Sequence, residues 1–172
     1  RWTEHELRVR IGFALRTAFA HGTRALHTYV DWPDPAAPEG PLAWRVLNAL
    51  RREWAGRLEL SLSSLASIDR LADPEAAAMM AGVLAGGGSD GGSDSGSHGD
   101  LRATLGLFLY PGAPMQWLPR AFDLAERHRL RLDFHVDEHL DPPAANLGAV
   151  ARLARERGWG AHTLCGHACV LG

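Results

Sequence analysis

Apolar and polar positions change period repeatedly along the chain, and each change marks the end of a helix or a strand. Over residues 3–20, Leu7, Ile11, Leu15 and Ala18 recur at three- and four-residue spacing, which predicts an amphipathic helix closed by Gly22. Residues 24–30 read as a strand, ending at Asp31 and a loop containing Pro33, Pro35, Pro38 and Pro41. Residues 42–55 return to the helical period and 58–64 to a strand. Asp73-Pro74-Glu75 sets a side-chain cap before a proline at the first helical position, so a helix is predicted from there to about residue 85. The stretch 86–99, GGGSDGGSDSGSHG, has no apolar residue and reads as a flexible insert. Beyond it come a strand over 103–110, a helix over 115–128, a strand over 130–136, a helix over 143–157 stopped by Gly158, and a strand over 161–165.

Strand and helix in strict alternation predict an α/β fold with a parallel sheet covered by helices. A doubly wound sheet and a (β/α)8 TIM barrel share that pattern. The first usually carries a glycine-rich phosphate turn after its first strand. Here that turn is Asp31-Trp32-Pro33, without glycine, which favours the barrel. A full barrel takes about 250 residues, so five strands form only part of one, and residues 1–172 are read as one partial barrel domain. The chain opens at Arg1 without a Met, which adds to the expectation that it starts inside a longer product. An open arc leaves two strand edges unpaired, so association is expected, a homo-oligomer included.

Composition narrows the function. The 18 basic residues are all Arg, and against 20 acidic ones they leave a net charge of −2. That balance supplies no electrostatic attraction for nucleic acid or an anionic membrane, and the chain holds no Lys for a base or a Schiff base. No apolar run approaches the roughly 20 residues of a membrane span, and the N-terminal residues lack the apolar stretch of a signal peptide. Two Cys build no disulfide framework and suit a reducing compartment. The expectation is a cytoplasmic protein with a small-molecule substrate. The six Trp, with no basic stripe beside them, read as packing residues.

In a barrel, chemistry gathers at the C-terminal ends of strands. Those ends hold His27, Tyr29 and Asp31, then Ser63 and Ser64, Tyr110, the trio His135, Asp137 and Glu138, and finally His167. The trio carries most weight, because ionisable side chains are costly to bury without a metal, a partner or a task. His135 can offer a ring nitrogen to a metal, and Glu138 can reach over the same site as a proton shuttle. The competing reading makes His135 a hydrogen-bonded core residue and Glu138 a solvated one. His167 is placed at its strand tip, facing the cavity of His135. Cys165 and Cys169 flank it, but a structural zinc site needs four ligands, so both are read as small buried apolar residues. His5, His21, His98 and His128 are assigned to helix faces, a helix end or the insert. His139 is expected to face water, and His162 to lie at the far end of its strand.

Asp133-Phe134-His135-Val136-Asp137-Glu138, followed by Cys165-Gly166-His167, resembles strands five and six of the amidohydrolase superfamily, closest to its cytosine deaminase branch. The opening helix and Thr28-Tyr29-Val30-Asp31 are similar to the helix and second strand of that branch. The resemblance implies a partial TIM barrel, strands two to six. It also implies a metal-dependent hydrolase that cleaves a C–N bond of an aminated, cytosine-like heterocycle or a related cyclic amide. His135 would then hold a divalent Fe or Zn ion. Glu138 would move a proton from the activated water to the substrate, and His167 would orient the water or polarise the reacting centre. The chain departs from the family in several places. The His-x-His pair of strand one and the Asp of strand eight have no counterpart here. Leu65 stands where a Gln is expected and Tyr29 where a His is. The alternative is a non-catalytic barrel fragment or binding scaffold lacking the full metal site. The 86–99 insert falls between a helix and the following strand, at the barrel end away from the chemistry.

Overall fold

The alternation read from the periodicity is present in the computed structural model, which describes residues 2–87, 103–139 and 146–169. In chain order the elements are α1 (Glu4–Ala20), β1 (Ala25–Asp31), α2 (Leu42–Trp54), β2 (Glu59–Ser67), α3 (Pro74–Gly87), β3 (Thr104–Leu109), α4 (Leu118–His128), β4 (Arg131–Val136), α5 (Asn146–Glu156) and β5 (Thr163–His167). Side chains satisfy the first N–H groups of α1 and α3, whereas α2 and α4 start without a side-chain cap. Thr3 and Glu6 form a reciprocal capping box on α1. Asp73 accepts from Glu75 N at 2.9 Å and Ala76 N at 3.2 Å ahead of Pro74.

All four strand pairings are parallel and the sheet order is β1-β2-β3-β4-β5. A doubly wound sheet reverses its strand order at a switch point; none occurs among the described residues. Sequential order is that of a barrel arc, and the five strands form a half-barrel with the helices outside. Along β4, Leu132, Phe134 and Val136 are buried toward the helices, and Phe134 stacks on Phe122 of α4 with ring centroids 6.0 Å apart. Arg131, Asp133 and His135 alternate onto the concave face. Trp32 and Trp44 meet edge to face at 5.3 Å in the core, and Trp54 is buried there too. Trp2 does not follow the packing expectation: it is exposed, with the Arg10 guanidinium 4.1 Å from its ring.

The boundaries differ where local contacts override period. β2 runs three residues past the expected end, because Leu65 still pairs with Asp31 and Ser67 with Phe108. The serine-rich sequence hides this, serine having no β preference to signal it. β5 starts two residues late, since Gly160–His162 form a single 3-10 turn that Thr163 Oγ1 closes on Trp159 O at 2.9 Å. Residues 115–117 form a 3-10 turn ahead of α4, and a further turn, Ile68–Ala72, follows β2. Residues 88–99 of the expected insert, His98 among them, and 143–145 of the expected fifth helix lie outside the described residues. Among the described residues no helix is long and apolar enough to cross a membrane.

Gly106 marks the tightest point of the sheet. A Cβ there would lie 1.9 Å from the backbone oxygen of Ser64 and 2.4 Å from Ser63 Oγ. Ser64 Oγ takes over part of the ladder, accepting from Gly106 N at 3.0 Å.

Candidate active site

The β4 strand delivers His135 to its C-terminal mouth because the strand period puts every second residue on the concave face. His167 reaches the same place by a different route. Its neighbour Cys165 pairs with Phe134 and packs against the core, so simple alternation would send His167 outward as well. Its φ of 66° breaks the alternation, and Ala168 follows at 50°. Two backbone bonds hold this strained turn, Ala168 N to Val136 O at 3.0 Å and Cys169 N to Asp137 O at 3.1 Å. The imidazoles therefore meet, with His167 Nε2 3.1 Å from His135 Nδ1. Glu138 Oε2 lies 3.5 Å from the same His167 nitrogen. The three residues singled out for chemistry are thus brought together.

His135, Glu138 and His167 present one ligand atom each, all within 4.8 Å of one another. Two imidazoles and a carboxylate are the donor types that suit zinc or iron, so the residues present fit such an ion. His135 is half-buried, and Glu138 and His167 are exposed.

Asp137 is not part of the cluster. With φ at 51° it leaves the alternation, and its carboxylate accepts from Asn146 N at 3.3 Å and Leu147 N at 3.0 Å. It is 1% exposed and serves as the anionic cap of α5. We expect Asp137→Ala to cost about 2 kcal/mol, because it orphans buried N–H groups at the start of a helix. Urea unfolding checks this, with Asp137→Asn recovering much of the loss. His139 corrects its expectation too: it is partly buried, with Nε2 4.0 Å from Asp137 Oδ1 rather than turned to water. Of the cysteines, Cys165 is half-buried, its thiol pushed up to about 11 by burial and then by Asp133 and Asp137. Cys169 is exposed, contrary to the buried reading.

Three features of the site were not singled out from the pattern. Asp133, two residues before His135 and on the same face, is 1% exposed and accepts from the Tyr29 hydroxyl at 2.9 Å. Burial and this bond push the Tyr29 phenol up to about 12, so it stays protonated and donating. Asp133 Oδ2 also lies 3.7 Å from His27 Nε2, while His27 Nδ1 is 2.6 Å from Ser61 Oγ. Phe108 pairs with His135 in register and sits 6.4 Å from the ring of Tyr110, so an exposed aromatic pair flanks the mouth. The available signal was the two-residue period: Asp133 and His135 share a face, as do Phe108 and Tyr110.

No family model matches the chain. It is 26% identical over 170 residues to a pterin deaminase of Rhizobium rhizogenes strain K84, a match spanning 99% of this chain and 35% of that protein. Two solved structures of 5-methylcytosine deaminase from Klebsiella pneumoniae superpose with TM-scores of 0.72, one liganded with phosphonocytosine and one with 5-fluorocytosine. They are 23% and 22% identical, and each alignment covers 98% of this chain and 38% of the other. The chain spans little more than a third of the length of these relatives. Over that stretch it carries the half-barrel fold of the two solved structures, and its sequence is similar to that of the pterin deaminase.

Proposed function

We propose that this chain contributes strands two to six of a metal-dependent deaminase barrel, which hydrolyses a C–N bond of an aminated heterocycle or a related cyclic amide. The convergence of His135, Glu138 and His167 at two adjacent strand ends carries the reading. In it, His135 holds a divalent Fe or Zn ion. The chemistry that the ion would supply when bound is a water acidified far below its ordinary range, toward neutrality. Glu138 would serve as the proton shuttle, accepting a proton on a side-chain oxygen and returning it to the departing amine. His167, 3.1 Å from His135 and 3.5 Å from Glu138, would orient the water or polarise the reacting centre. The exposed pair Phe108 and Tyr110 offers flat apolar surface for a planar heterocycle.

The names of the relatives and the cytosine-like resemblance set the first probes. We expect the intact protein, supplied with Zn2+ or Fe2+, to release ammonia from pterin, cytosine or 5-methylcytosine, and to lose that activity on chelation. Metal analysis runs alongside. Turnover that is unaffected by chelation, or neither ammonia release from any aminated heterocycle nor ring opening of any related cyclic amide by metal-loaded protein, would overturn the proposal.

A further inference from the structure

We infer that Tyr29 is a positioning residue for His135, clamped in place by the buried carboxylate of Asp133. The inference rests on the reading of His135 as a metal ligand and deepens it. β1 and β4 are three strands apart, about 14 Å across a flat sheet at the usual strand spacing. Yet the Tyr29 hydroxyl donates to Asp133 Oδ2 at 2.9 Å, a bond between residues 104 apart in sequence. Only the curl of the sheet allows that, so the bond is a chord across the arc.

The ring of Tyr29 sits as a wedge between two imidazoles. Its centroid is 4.9 Å from that of His27 at an interplanar angle of 79°, and 4.7 Å from that of His135 at 84°. His135 is then held on one side by Tyr29 and on the other by His167, whose centroid is also 4.7 Å away. An imidazole between an edge-on ring and a second imidazole has one favourable χ1 well. Asp133 is the anchor: it is almost wholly buried, and its Oδ1 finds no partner among the described residues, so its charge leans on Tyr29 and on His27 at 3.7 Å. Side chains that orient a ligand without touching the metal commonly set its affinity.

The test has two arms. In metal-free protein labelled with 13C and 15N, three-bond couplings to Cγ report χ1 of His135. The wild type is expected to show one rotamer, Tyr29→Phe a partial loosening through loss of the hydroxyl clamp, and Tyr29→Leu an average over wells. Circular dichroism melts establish that each variant is folded, and Asp133→Asn, which keeps the shape of the anchor, should loosen His135 to an intermediate degree. In the second arm Co2+ is titrated with its visible absorption as the readout. Tyr29→Leu should weaken binding by about 10-fold and broaden the spectrum, with Tyr29→Phe between it and the wild type. A single unchanged χ1 in both folded Tyr29→Leu and Asp133→Asn overturns the positioning role. His135→Ala separates the two ideas: Co2+ affinity unchanged in that variant would remove the ligand role, whereas affinity lost there but kept in Tyr29→Leu would remove the clamp alone.

Discussion

Glu138→Gln is expected to lower turnover of the intact protein by about 10²–10⁴-fold, the contribution typical of a positioned general acid–base group, while metal content stays unchanged. Gln keeps the shape of Glu and can hydrogen-bond His167, but it cannot accept and return a proton. The side chain is 62% exposed and caps no helix, so the change should leave the unfolding midpoint in place. The measurement pairs steady-state ammonia release with metal analysis of the same sample. Glu138 Oε2 lies close enough to both imidazoles to serve as a ligand itself. If metal leaves with the activity, Glu138 holds the ion rather than shuttling the proton. If turnover is unchanged, it does neither.

Gly106→Ala should be the most destabilising single methyl in the described residues, at about 3 kcal/mol, the upper part of the range for overpacking a closed site. The new Cβ would meet the backbone oxygen of Ser64 at 1.9 Å, and backbone cannot rotate away as a side chain can. β2 and β3 would have to part, and the bond from Gly106 N to Ser64 Oγ would go with them. Against a total stability of about 5–15 kcal/mol for a domain, that is a large share. Chemical denaturation reads it directly, and a shift below about 0.5 kcal/mol would show that the sheet yields at this point at little cost. Because β3 lies between the strand that bears Tyr29's neighbours and the one that bears His135, Gly106→Ala should also disturb the chord from Tyr29 to Asp133.

Much of the candidate site is legible in the sequence. His135 and Glu138 stood out because a polar–apolar alternation ended in three ionisable residues, and strand ends are where barrels place chemistry. His167 was found by its position after a short strand, yet alternation alone assigns it to the wrong face. The left-handed backbone at His167 and Ala168 brings it back, and no side-chain pattern announces such a φ in a non-glycine residue. The same device removes Asp137 from the cluster and gives it to α5. Tyr29 was noted as a strand-end residue that replaces an expected His, but its partner was hidden. The 104-residue separation between Tyr29 and Asp133 carries no local signal.

The sequence by itself determined the alternation of elements, the cap that starts α3, and which side chains of β4 face the concave side. These follow from the periods of 2.0 and 3.6 and from short-range hydrogen bonding, which act within a few residues. The tertiary structure alone decided the sequential strand order, the curl that joins β1 to β4, and the meeting of His135 with His167. Those depend on packing between distant elements and on a few strained dihedrals, and neither leaves a periodic trace along the chain.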